Sequence, residues 1–114
     1  MKEVKAYVRH SMIGKVIEAL EREGFFDMTL IDVKGLTTGL PVEKYHYSLE
    51  LAEKYMNVVK LEIVCRDQDV ERIVAIIQEN ARTGKKGDGL IYVTPVEQVI
   101  RIYTEGEDSE GALQ

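Results

Sequence analysis

The 114-residue chain is poor in the residues that several chemistries require. Its one cysteine, Cys65, sits inside the apolar run Leu61-Glu62-Ile63-Val64-Cys65. No disulfide framework can form within a single chain, and a lone thiol in that setting reads as a small core residue. Its two histidines, His10 and His46, are too far apart to make a ligand motif. His46 does lie among Glu43, Glu50, Tyr45 and Tyr47, where a divalent ion or plain solvent exposure are both open readings. Cationic surplus is missing as well: 20 acidic residues against 15 basic give a net charge of −5, which argues against duplex nucleic acid as a partner. No apolar stretch approaches a membrane span and no secretory signal opens the chain. The expected location is therefore the cytoplasm, without membrane insertion.

What the chain does have is a seven-residue stretch with three glycines and two lysines, Thr83-Gly84-Lys85-Lys86-Gly87-Asp88-Gly89, followed at once by Leu90-Ile91-Tyr92-Val93. Glycine admits positive φ and close approach to the main chain. Successive N–H groups in such a turn form an anion-binding concavity, so the segment reads as a phosphate-cradling turn entering a strand. Ordinary helix-to-strand connection chemistry is the competing reading. The spacing fits neither a P-loop nor a dinucleotide fingerprint.

The length suits one domain with one core, and is too short for a deep private cleft. Lys2 to Arg9 alternates, with Val4, Ala6 and Val8 on one side, as a strand does. Met12, Ile13, Val16, Ile17 and Leu20 share a helical face, with Ser11 as the expected N-cap and Gly24 as the stop. Met28 to Val33 alternates again. The pattern then repeats: a strand over Val58 to Cys65, a helical stripe through Val70, Ile73, Val74, Ile77 and Ala81 capped by Asp67 or Asp69 and ended by Gly84, and a strand over Leu90 to Val93. Two such units predict an α+β, ferredoxin-like double βαβ sandwich, with an antiparallel sheet and both helices on one face. The Val58–Cys65 run looks too apolar for a wetted face, so oligomerisation across the open face is expected.

The domain is expected to span 1–103. Residues 36–57 form a long excursion of a length that is often functional, and 104–114 an acidic tail expected to be disordered. Asp32 and Glu62 could pair with cations at a subunit contact, and Arg82 could reach the turn or serve as a last-turn helix cation.

The pattern Thr83-x-x-x-Gly87-Asp88-Gly89-x-Ile91-Tyr92-Val93 resembles the C-terminal signature of the PII signal-transduction family. Val33-Lys34-Gly35, Val59 to Val64 and Val99-Ile100-Arg101-Ile102 resemble further family blocks in the same order, so that the likeness covers residues 1 to about 108. The resemblance implies a compact homotrimer with an adenine nucleotide (ADP, AMP or ATP) in each inter-subunit cleft. It implies that the long loop, the family's T-loop, signals to a partner protein, which could be a membrane transporter or a metabolic enzyme. Carried over by position, the resemblance puts Thr29, Gly35, Leu36, Thr37, Thr38, Glu62, Val64, Lys85, Gly87, Asp88, Gly89, Arg101 and Tyr103 at nucleotide-binding positions. It implies the base and ribose against the second strand and the start of the third, the phosphates on the Gly-rich turn, and Arg101 in contact with them. Neither catalysis nor a magnesium requirement is implied.

The departures are informative. Leu90, Tyr103 and Thr38 stand where the family usually has cations. A charge-assisted contact contributes ~1.5–3 kcal/mol, so losing two weakens triphosphate binding by about a hundredfold if nothing compensates. ATP is then expected to lose its advantage over ADP and AMP. The family's 2-oxoglutarate contacts fall at Gly39 and Val58, its uridylylated tyrosine at Leu51, and its channel-plugging arginine at Tyr47. Loss of 2-oxoglutarate sensing and of uridylylation is expected, and an ammonium-channel partner is not. Two alternatives remain in view. One is a phosphohydrolase on the same fold, although Asn57 and Asn80 sit in no such motif. The other is a trimer tied to metal or bicarbonate transport with a vestigial nucleotide cleft.

Overall fold

The computed structural model describes residues 1–36 and 55–103, and side chains outside 34–36 and 55–56. The elements run β1 (Lys2–Arg9), α1 (Ile13–Arg22), β2 (Thr29–Leu36), β3 (Tyr55–Cys65), a 3-10 turn at Asp67–Asp69, α2 (Val70–Ala81) and β4 (Ile91–Pro95). The sheet order is β2-β3-β1-β4, with every neighbouring pair antiparallel. Each helix therefore carries the chain over one intervening strand, which is the ferredoxin-like double βαβ arrangement that the two repeated patterns predict.

Alternation on β1 decides the layers. Val4, Ala6 and Val8 are buried towards the helices and pair with Ile63, Leu61 and Val59. Val16 and Leu20 of α1 and Ile73, Ile76 and Ile77 of α2 complete a core in which, among the described residues, no polar side chain is buried. The α1 stop is built as predicted. Gly24 has φ +86, its N–H donates to the Glu21 carbonyl at 3.0 Å, and the Phe25 N–H donates to that of Leu20 at 3.0 Å. This is the paired closure in which a left-handed glycine satisfies the last carbonyls of a helix. Phe25 then folds back onto the core.

Two local expectations, Ser11 as a cap and Gly84 as a stop, are corrected, and a third, Asp69 as a cap, is met in position only. Ser11 is not the cap of α1: Met12 holds that position and no side chain caps it. Asp69 holds the cap position of α2, again without a side-chain bond. Gly84 does not end α2, which stops at Ala81 as Arg82 turns extended, with its N–H donating to the Gln78 carbonyl at 3.2 Å. The strands also shift: β2 and β3 run on to Leu36 and from Tyr55, and β4 begins at Ile91.

The premise of an apolar open face changes too. Val59, Leu61, Ile63 and Cys65 point to the helices, while Lys60 and Glu62 point the other way. With Lys5 and Glu3 these form a ladder, in which the Lys5 ammonium lies 3.3 Å from Glu3 and 3.7 Å from Glu62, and that of Lys60 lies 3.7 Å from Glu62. Lys5 stands 5.7 Å over the Tyr92 ring and Lys60 5.8 Å over that of Tyr7. The apolar run in the sequence is thus shared between two faces, and the open one is a mixed surface of charge, tyrosine and valine. Most of the 36–57 excursion, and the 104–114 tail, lie outside the described residues.

Candidate functional site

The turn from Thr83 to Gly89 is closed by its own aspartate. The Asp88 carboxylate accepts from the backbone N–H groups of Thr83 at 2.9 Å and Gly84 at 3.0 Å, and from the Thr83 hydroxyl. Arg9, the last residue of β1, donates from Nε to the same carboxylate at 3.0 Å and from Nη2 to the Lys86 carbonyl at 2.9 Å. These bonds hold the Asp88 carboxyl far below the usual carboxylate range; the Thr83 hydroxyl contributes most, followed by the Thr83 amide, against an opposing effect of burial. Gly84, Gly87 and Gly89 all have positive φ. Gly89 is further constrained by β1, since a Cβ there would lie 1.8 Å from the Tyr7 carbonyl oxygen. That close pass lets the Leu90 carbonyl accept from the Tyr7 N–H at 2.9 Å and delivers the chain into β4. A cavity of about 370 Å³ lies behind the turn, between the end of α2 and β4, with Asp88, Gly89, Leu90, Tyr7 and Gln78 in its wall.

A second cavity, of about 480 Å³, is lined by Glu3, Thr29, Glu62, Val64, Arg101 and Tyr103. Asp27 also borders it, and the Arg101 Nη2 donates to Asp27 Oδ2 at 2.9 Å. Ile102 is fully exposed beside it and Tyr103 largely so. A third hollow, of about 350 Å³, gathers His10, Asp32, Val33, Asn57 and Val58 near the ends of β2 and β3 from which the long excursion leaves. Among the described residues, no group of three or more His, Cys, Asp or Glu side chains is placed to hold a metal ion.

The residues singled out in the sequence thus fall into two separate groups. Lys85, Gly87, Asp88 and Gly89 lie on the turn at the Arg9 end of β1, and Thr29, Glu62, Val64, Arg101 and Tyr103 lie at its Glu3 end. At ~3.3 Å per residue, the six steps from Glu3 to Arg9 span about 20 Å. Gly35 and Leu36 close β2, paired with Met56 and Tyr55. Thr37, Thr38, Gly39, Tyr47 and Leu51 lie outside the described residues, and Val58 is buried against its strand neighbours Arg9 and Val33. The sequence reading missed Arg9, which is 79 residues from its partner, and Asp27. It placed Asp88 among the ligand-contacting residues without reading that the carboxylate also accepts from the turn's own donors. The Thr-x-x-x-x-Asp spacing was the available signal, because short polar side chains reach nearby backbone amides in turns.

Fold and site together define a ferredoxin-like α+β protein with a glycine-built turn at one end of its central strand and an arginine-bearing cavity at the other. The family model described as Nitrogen regulatory protein P-II matches residues 1–106. The chain is similar to Nitrogen regulatory protein P-II 1 of Methanothermobacter thermautotrophicus, 39% identical over 113 residues that cover 99% of this chain and 97% of that protein. It is also similar to Nitrogen regulatory protein P-II of Azospirillum brasilense, at 36% over 99% of this chain and all of that one. Its fold matches the crystal structure of Arabidopsis thaliana PII bound to citrate, with a TM-score of 0.79 and 37% identity over 99% of this chain and 89% of that one. The chain belongs to the PII family of nitrogen regulatory signal-transduction proteins.

Proposed function

We propose that this PII-family chain is a homotrimeric regulatory protein that binds an adenine nucleotide between copies. The Gly-rich turn of one copy takes the phosphates with Lys85 and Lys86, and the Arg101 cavity of the next copy supplies a cation and the walls for base and ribose. Nucleotide occupancy shifts the population of shapes of the 36–57 excursion, and a partner protein in the cytoplasm, a transporter or a metabolic enzyme, reads that shift. The observation that carries this reading is the division of the candidate residues between the two ends of β1. A nucleotide-sized ligand engages both groups when a second copy brings the far end of its own β1 against the turn, and a closed ring of copies repeats that contact. The citrate in the Arabidopsis relative's crystal structure supports an anion-accepting site in this family.

The role is regulation and not turnover, and no magnesium is called for. With Leu90 and Tyr103 in place of cations, AMP and ADP bind about as well as ATP. With Val58 buried at the loop root, a dicarboxylate finds no charge partner there, so 2-oxoglutarate is not sensed. Calorimetric titration with AMP, ADP and ATP tests the reading: heat and a thermal shift with at least one of them are expected, and neither with any overturns it.

A further inference from the structure

Asp27 is the one residue other than glycine with positive φ among the described residues, at +60°. It follows the exposed Phe26 in the short connection from α1 to β2. A glycine would suit that backbone without strain, while aspartate is among the few side chains that tolerate it. The carboxylate it carries reaches across the chain to Arg101 Nη2 at 2.9 Å, an ion pair spanning 74 positions. Arg101 is the cation in the wall of the 480 Å³ cavity, and Asp27 borders the same cavity. The other acids of that wall, Glu3 and Glu62, face Lys5 and Lys60 on the sheet ladder. Each charge lining the cavity therefore has an opposite charge beside it within the chain, and a phosphate arriving there meets an arginine that already holds a carboxylate.

We infer that Asp27 is a specificity-determining residue of this site: it is a built-in counter-anion for Arg101 that an incoming phosphate must displace, and its charge penalises a ligand in proportion to the ligand's own. The inference rests on the nucleotide reading above and deepens it. A nucleoside pays nothing at Asp27, a monophosphate little, and a triphosphate most, because repulsion grows with the charge brought near a fixed anion. This adds to the loss of cations at Leu90 and Tyr103 and biases the site towards the low-phosphate end of the series.

Two variants of the full chain separate the effects. Asp27→Asn keeps a side chain that tolerates the backbone and removes the charge; Asp27→Gly removes the side chain and relaxes the backbone. Titration calorimetry with adenosine, AMP, ADP and ATP is expected to show unchanged adenosine affinity, AMP binding tighter by roughly twofold to fivefold, as expected for freeing one partly exposed ion pair, and a larger gain for ATP than for AMP. Equal shifts for adenosine and ATP, or no gain for ATP, overturn the inference. A second readout needs no nucleotide. Modification of Arg101 by phenylglyoxal, mapped by peptide mass, is expected to run faster in both variants than in the parent chain, and an unchanged rate overturns the role of Asp27 as its counter-anion. Faster modification with no nucleotide heat in the parent chain or either variant leaves the Asp27–Arg101 pairing standing and removes the nucleotide reading together with the specificity role that rests on it. Nucleotide heat without a gain for ATP removes the specificity role alone, so the two failures are distinguishable.

Discussion

The Gly-rich turn and the segment around Arg101 stand at opposite ends of β1 and are built by opposite means. The turn is finished within its own chain. Asp88 satisfies its amides, Arg9 pins it from the strand, and Gly89 lets it pass against Tyr7 at a distance no side chain permits. The segment is unfinished: it presents Ile100, Ile102 and Tyr103 at 59%, 104% and 83% exposure beside a cavity whose arginine is held by Asp27. The contrast shows that the shape of the turn is fixed by bonds within one chain, while the segment leaves apolar side chains uncovered. Damage to the turn's internal closure is expected to register in folding as well as in binding, and damage to the segment in assembly and binding with little effect on folding.

The sharpest way to break this contrast is Gly89→Ala. The new Cβ collides with the Tyr7 carbonyl and meets a φ of +100°. Overpacking and left-handed strain together are expected to cost about 3 kcal/mol or more, seen as a large drop in the urea midpoint. A parent-like midpoint would mean that the turn does not depend on the close pass.

Next in size is Asp88→Asn, read through pH. The folded-state pKa of Asp88 is depressed, mainly by the Thr83 hydroxyl. Its contribution to stability is therefore complete above the unfolded value of about 4 and is lost as pH falls below it. The parent chain is expected to lose more stability than the variant between pH 5 and pH 3, while the variant starts lower at pH 7. Parallel pH curves would show that the carboxylate does not hold the turn. The smallest effect on folding is expected for Ile102→Ser, a change at an exposed site and so within about 0.5 kcal/mol. The same substitution should shift sedimentation from trimer towards monomer. A stable trimer with Ser at 102 would place the contact between copies elsewhere.

The legibility of this chain follows the same division. Period-two and helical patterns record burial, so β1, the core stripe of α2 and the Gly24 stop could be read directly. The sheet order followed from the repetition of two βαβ units. Cap chemistry could not be read, because Ser11 and Asp69 satisfy the composition of a cap without reaching the amides. The face-by-face split of β3 was hidden by Val58 and Val64, which make an alternating strand look continuous. Arg9–Asp88 and Asp27–Arg101 were invisible for a different reason. Each joins residues more than 70 positions apart, and only the placement of β1 beside β4 and the path of the chain after β4 bring the partners together. The turn-closing bonds of Asp88 could not be read because a carboxylate in a Gly-Asp-Gly turn fits ligand contact and turn closure equally well on composition alone.

The central claim is that the two ends of β1 meet across copies, and subunit complementation tests it most directly. Gly87→Ala and Arg101→Ala chains are refolded together in equal amounts, and tight adenine-nucleotide sites are counted by calorimetry against each variant alone. If each cleft takes its turn from one copy and its arginine from the next, about a quarter of the clefts in the mixture combine two intact halves and regain parental affinity. If no tight sites return on mixing, although both variants assemble and the parent chain binds, each site lies within one chain and the account fails.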